Sequence, residues 1–442
     1  MRILFVSHFY PPEYTTGVEL YTHTIAKAML ARDHAVQVIC ATGWEEGAQY
    51  RNGFVEGELD GVPVRRLALN WKLAPRPFDY LFRNPLIAGD FQGLLESWKP
   101  DLIHITSCYS LSASVIETAK ALGIPIVLQL HDYWFICARH NLLRWDGSLC
   151  SGPESAALCQ RCMLDNAKVY RLPRKLFSEK ITLQFIAGLA RISWLSRLRG
   201  MRGMIGDFKQ RHSYLLEMIA QCDVVIAPSH FLRQTYEQNG VPPGRIQTLT
   251  HGYDPEIIRP MARKASNRLR FGYLGKLAFM KGVHTILQAF AKLQPDRAEL
   301  HIHGPLEQGS YLSELDRLTN SASNIFFHGR FERHQVSEIL GMIDALIVPS
   351  LWFENSPFVV REAFAAGIPV IVSGHGGLLE MVNDETDGLY FEPGNVADLA
   401  RKMSRLIEEP GLLGRLREGI KPIRMINAEV DELEVTYQKL IS

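Results

Sequence analysis

The sequence predicts an α/β chain of two Rossmann-like, doubly wound domains, and three observations carry that expectation. Short apolar runs recur along the chain, each closed by a Gly-, Ser- or Pro-containing loop and followed by a helical pattern. This strand–loop–helix cycle breaks at a Pro- and charge-rich stretch, 254–267, and restarts at Leu269. Finally, 442 residues exceed what one core ordinarily holds. The expected division is an N-terminal domain over 1–253, a linker over 254–267, a C-terminal domain over 268–425 and a last helix over 426–442.

Composition narrows the function classes. With 47% hydrophobic and 21% charged residues the chain reads as globular, and a net charge of +1 gives no field to favour nucleic acid. No apolar run approaches the length of a membrane span. Met1–Ser7 leads straight into a strand, so no signal peptide is expected. Seven cysteines, an odd number, then point to a reducing compartment and hence to the cytoplasm.

In chain order, Ile3–Val6 is the first strand expected. Thr15-Thr16-Gly17-Val18-Glu19 leads into a helix ending near Arg32, and Gly17 lets backbone approach an anion there. No G-x-G-x-x-G occurs, so a dinucleotide site is not indicated. A plain strand-to-helix turn would read the same way. Ala35–Ala41 is the next strand, and 44–100 reads as less regular. Leu102–Thr106 and Ile126–Leu130 are buried strands, the second ending in His131-Asp132. A histidine at the carboxyl end of a parallel strand points into the ligand crevice, although a lone histidine is more often structural.

An insert follows. Cys137, Cys150, Cys159 and Cys162 have the spacing C-x12-C-x8-C-x2-C. Four thiolates complete a tetrahedral zinc shell and C-x2-C is the usual half-site, so structural zinc is expected; disulfides, free thiols, or a redox or iron–sulfur role are the other readings. A closed four-thiolate shell has no open position for catalysis. Residues 168–211 then mix Lys and Arg with Leu, Ile, Phe and Trp194. Such a basic amphipathic stretch suits an anionic membrane surface, and equally a helix docked on its own domain with a solvated basic face. Val224–Ala227, a helix near Phe231–Gln238 and Ile246–Thr250 complete the first cycle.

In the second cycle Gly275-Lys276-Leu277-Ala278-Phe279-Met280-Lys281-Gly282 joins a strand to a helix. Two cations and two glycines at a helix N-terminus make a diphosphate cradle. Strands Leu300–His303 and Ile325–His328 end in Gly304-Pro305 and Gly329-Arg330. Asp344–Val348 is a further strand. A polar loop carrying Glu354 follows, then a helix with Asn355 or Ser356 as cap and Pro357 at its first position, running to Ala366 and stopped by Gly367. Strand Pro369–Ser373 and Gly374-His375-Gly376-Gly377 close the unit. Glu354 and Glu362 are not on one helical face, which suits a ligand with two separate hydroxyl-bearing ends. A loop charge and a solvated helix glutamate would give the same pair.

Glu354-x7-Glu362, Ala-x-x-Ala-Gly-x-Pro-Val-Ile, and Gly-Gly-x-x-Glu ending at Glu380 resemble the signature of glycosyltransferase family 4. The resemblance covers nearly the whole chain. It implies the GT-B fold, two domains facing across a cleft, and transfer of a sugar from a nucleotide donor with retention. It also implies that the last helix crosses back to the N-terminal domain. It places Glu362 on the donor ribose, Glu354 on the donor sugar, His131 near that sugar, and Lys276 and Lys281 on the diphosphate. Gly17, Gly304, Ser356, Phe358, Gly376 and Gly377 join the donor site by the same likeness. The chain departs from the family at Thr16 for a glycine, at Lys276 for an arginine, and at Asn355-Ser356-Pro357 for Gly-Phe-Gly. The lysine keeps the charge and loses the bidentate fork. No Asp-x-Asp occurs at a strand end, so no metal is expected in catalysis. The partners expected are a nucleotide-sugar donor and a glycan or lipid-linked acceptor, in surface polysaccharide or glycoconjugate synthesis, at the inner membrane face if the basic stretch binds lipid. A non-catalytic nucleotide-sugar or glycan-binding subunit, and a nucleotide-sugar epimerase, are the competing functions.

Overall fold

The computed structural model describes residues 1–43, 47–164, 177–178, 181–182, 184–185, 206–255, 258, 266–305, 310–319 and 322–442. Most of the basic amphipathic stretch expected over 168–211, and most of the linker over 254–267, lie outside the described residues. The chain divides into two units, Met1–Leu249 with Val430–Ser442, and Thr250–Glu429.

The first unit holds an eight-stranded sheet of β1 (Arg2–Val6), β2 (Ala35–Thr42), β3 (Arg51–Leu59), β4 (Val62–Leu69), β5 (Leu102–Ile105), β6 (Ile126–Gln129), β7 (Val224–Ala227) and β8 (Ile246–Thr248). The order is β3-β4-β2-β1-β5-β6-β7-β8. All pairings are parallel except β3 with β4. Helices connect the parallel strands and cover the sheet, so β5 and β6 are buried at every residue and mainly apolar, their polar members His104 and Gln129 lying 3.0 Å apart, Nε2 to Oε1.

The region 44–100 departs from the irregular reading. It contains the β3–β4 hairpin and the helix Pro85–Trp98. β3 lies at the sheet edge with most residues exposed, so nothing forces apolar alternation on it. Its signal was Asp60-Gly61, both at positive φ (50° and 80°), the backbone of a two-residue hairpin turn. Asn84 caps the helix through hydrogen bonds from the Leu86 and Ile87 amides, with Pro85 behind it.

The second unit holds a six-stranded parallel sheet of β9 (Leu269–Leu274), β10 (Ala298–His303), β11 (Ile325–Gly329), β12 (Ala345–Val348), β13 (Val370–Ser373) and β14 (Gly388–Phe391), in the order β11-β10-β9-β12-β13-β14. Alternate residues of β9, β12 and β13 enter different cores. Phe271, Tyr273, Ala345, Ile347 and Ile371 pack on one side with the helices Val283–Phe290 and Val396–Glu408. Leu274, Leu346, Val348, Val370 and Val372 pack on the other with Val336–Gly341 and Phe358–Ala365. Apolar residues on both faces of a strand are what a doubly wound sheet requires.

The division falls before 253 because Thr250–Tyr253 join the second unit. Tyr253 exchanges backbone hydrogen bonds with Arg424 and Ile426 (2.8 and 2.9 Å), and the Gly252 amide donates to Glu429. The last helix, Ile426–Ile441, begins in this unit, and its residues from Val430 belong to the first. There Val430, Leu433 and Tyr437 are fully buried, and the Tyr437 hydroxyl meets His104 on β5.

Candidate active site

In the second unit the candidate residues converge on the carboxyl ends of β9, β10, β12 and β13. The turn after β9 passes so close to β12 that a side chain at Gly282 would strike the Pro349 carbonyl at 2.0 Å, on a backbone with φ +71°. Gly304, ending β10 at φ +153°, abuts the Gly275 carbonyl; an added Cβ would lie 1.8 Å from it. These approaches, which only glycine permits, carry Lys281 to the loop after β12.

There Lys281 Nζ donates to Glu354 Oε1 at 2.7 Å. The same oxygen accepts from Ser350 Oγ (2.7 Å) and Trp352 Nε1 (2.8 Å). Glu354 is 5% exposed. Burial pushes its carboxyl up, but the Lys281 charge and the three donors hold it below its ordinary range. The Lys281 ammonium also lies over the Trp352 ring, 4.9 Å from its centroid. The loop itself is tied down by the Gly377 amide, which donates to the Glu354 carbonyl (2.7 Å), and by His375 Nε2, 2.9 Å from the Ser350 carbonyl. Lys276 is exposed on the turn after β9, and its carbonyl accepts from the Tyr273 hydroxyl at 2.8 Å.

Glu362 belongs to a separate network. It is 4% exposed and pairs with Arg333, which follows β11. The expected helix cap is corrected: Pro357, not Asn355 or Ser356, occupies the cap position, and no side chain caps the helix. Proline at that position has no amide to donate, and Ser356 Oγ is buried without a hydrogen-bond partner. Phe358 stacks on His251 with ring centroids 5.6 Å apart. The structure therefore brings Glu354, Lys281, Gly304, Gly376 and Gly377 together at one set of strand ends and keeps Glu362 on a second pair.

In the first unit, Gly17 opens the helix Gly17–Leu30, and Thr16, at its cap position, donates to Glu19 instead of capping. Glu19 is 2% exposed and lies 3.0 Å from His8 Nε2. Burial raises the Glu19 carboxyl, and His8 and Thr16 more than offset it, leaving it below its ordinary value. His131 follows β6 with its ring against Tyr21, centroids 4.8 Å apart. Asp132 is half-buried beside it, its carboxyl raised by desolvation and close to His8 and Glu19. Sequence reasoning missed Arg333, Ser350, Trp352 and His8. Each stands just beyond a strand end, which is the signal that could have found them.

Each unit thus gathers polar and charged side chains at the carboxyl ends of its own parallel strands, and comparison with known proteins gives the class. Residues 254–421 match the model "Glycosyl transferases group 1", and residues 16–173 match "Glycosyl transferase 4-like domain". The chain is a glycosyltransferase of GT-B fold, with a 4-like domain in its first unit and a group 1 domain in its second. Glycogen synthase of Mycobacterium tuberculosis is 24% identical over 94% of this chain and 88% of that protein. An uncharacterized glycosyltransferase of Methanocaldococcus jannaschii is 25% identical over 46% of this chain, and the match spans just over half of that protein (56%). Among solved structures, sucrose-phosphate synthase from Thermosynechococcus elongatus superimposes with a TM-score of 0.67 at 17% identity, covering 99% of this chain and 98% of that one. Anabaena HepE in complex with UDP gives 0.66 at 17% identity over the full length of both. No helix among the described residues is long and apolar enough to cross a membrane.

Proposed function

We propose that this glycosyltransferase takes its sugar from a nucleoside diphosphate donor held by the second unit and transfers it, with retention, to a hydroxyl of a glycan or lipid-linked acceptor. One observation supports this most: the Lys281–Glu354 pair at the end of β12, beside the turn that carries Lys276. Lys281 and Lys276 would supply positive charge to the departing diphosphate, and stabilising charge on that leaving group is the largest demand of the reaction. Glu354, kept ionised, offers its second oxygen to a sugar hydroxyl, and Glu362 with Arg333 offers a second polar end for the ribose. Retention, the role of His131 and a setting in surface polysaccharide or glycoconjugate synthesis follow from the family resemblance. An acceptor at a membrane surface would suit the basic stretch at 168–211.

Solved structures of HepE are described with UDP and with UDP-glucose. Uridine donors therefore head the test panel. Thermal stabilisation by nucleoside diphosphates and their sugars is measured on the wild type and on Glu362→Ala. A ligand that binds only the folded state raises the melting temperature. Stabilisation of the wild type by one nucleotide, lost in the variant, is the expected result. Equal stabilisation of both would remove Glu362 from the donor site, and none in either would overturn the donor assignment.

A further inference from the structure

We propose that Cys137, Cys150, Cys159 and Cys162 bind a structural zinc ion that clamps the insert following β6. The four thiols, spread over separate turns and a helix, line a single pocket with Trp145 and Arg144. Local structure gathers them. Cys137 closes a turn, its amide donating to the Tyr133 carbonyl at 2.6 Å. The antiparallel bridge Leu143–Leu149 folds the chain back, and the Cys150 amide donates to the Leu142 carbonyl at 2.7 Å. Cys159 and Cys162 lie three residues apart in the helix Ala156–Leu164, which puts both on one helical face. A turn, a hairpin and a helical C-x2-C thus supply two half-sites.

The surroundings suit the charge. Four thiolates on Zn²⁺ carry a net charge of −2, which must be balanced when buried. Arg211, 5% exposed, faces Cys137 and Cys159 and donates to the Trp134 carbonyl. Arg144 faces Cys150, and Arg139 faces Cys162. Cations in this outer shell offset the excess charge of the thiolates and orient them.

As the side chains stand, no three His, Cys, Asp or Glu among the described residues are gathered closely enough to hold an ion. Cys150 Sγ donates instead to the Gly152 carbonyl at 3.0 Å. Zinc binding would replace that bond and release four protons to solvent as four S–H groups become Zn–S bonds. No electron is transferred.

The full chain, purified in reducing buffer without chelator, is analysed for metals. About one zinc per chain is expected, and Cys159→Ser and Cys162→Ser should each carry several-fold less. Because those variants could fail to fold, the wild type is also alkylated natively and mapped by peptide mass. All four cysteines should resist alkylation until a chelator is added, and the chelated protein should melt lower and recover with Zn²⁺. Prompt alkylation of all four in a metal-free folded protein, disulfides among them, or iron in place of zinc would each overturn the proposal.

Discussion

Lys281→Ala tests the most heavily committed contact of the site. In the wild type one oxygen of a buried carboxylate accepts three donors, of which only Lys281 is charged. Removing one partner of a fully buried pair costs about 3–5 kcal/mol. The lysine side chain is 29% exposed and the glutamate 7%, so water replaces part of the loss, and about 2–3 kcal/mol is expected. For a unit of this size that lowers the melting temperature by about 5–10 °C.

The sign with pH is specific. The wild-type carboxyl is held below its ordinary value of 4.5. Its contribution is therefore present above that value and is lost as pH falls through the folded-state value. Without Lys281 the main lowering influence is gone, and burial moves the carboxyl up from its wild-type position. The variant's deficit should be full near pH 8 and shrink as pH falls into the acid range, where the variant's carboxyl takes its proton before the wild type's does. Calorimetry across that range, with Ser350→Ala as a neutral-donor control costing about 1 kcal/mol, measures it. A deficit independent of pH, or no deficit at pH 8, would refute the ion pair as the source of stability.

Further outcomes follow from the same geometry. Gly304→Ala places a Cβ 1.8 Å from the Gly275 carbonyl on a backbone that disfavours any side chain, and should cost about 3 kcal/mol or more with loss of nucleotide binding, read by denaturant titration and calorimetry. Arg333→Ala leaves the Glu362 carboxylate buried without its cation, and should weaken nucleotide affinity about ten- to a hundredfold by titration calorimetry, equivalent to about 1.5–3 kcal/mol. Tyr437→Ala empties a fully buried site and strips His104 of its hydroxyl partner. It should cost about 3–5 kcal/mol by chemical denaturation, with hydrogen exchange rising first around β5.

The two-domain α/β architecture was legible in the sequence because a strand buried on both faces is mainly apolar. β1, β5, β6, β12 and β13 announce themselves in that way. The glycine turns were legible for a related reason. A turn that lets backbone meet backbone leaves a glycine wherever it is made. β3 was not legible, since an exposed edge strand of Arg, Glu and Gly carries no period, and only Asp60-Gly61 marked its turn.

Partnership is what the tertiary structure alone decided. Sequence spacing paired Glu354 with Glu362, whereas the fold pairs Glu354 with Lys281 and Glu362 with Arg333, from other strand ends. It likewise set Glu19 against His8, and gathered four cysteines around one pocket. Residue type and local period follow from short-range sterics and burial, which the sequence states directly. Which charges meet depends on strand order, β11-β10-β9-β12-β13-β14, and that order arises only when both faces of the sheet are packed.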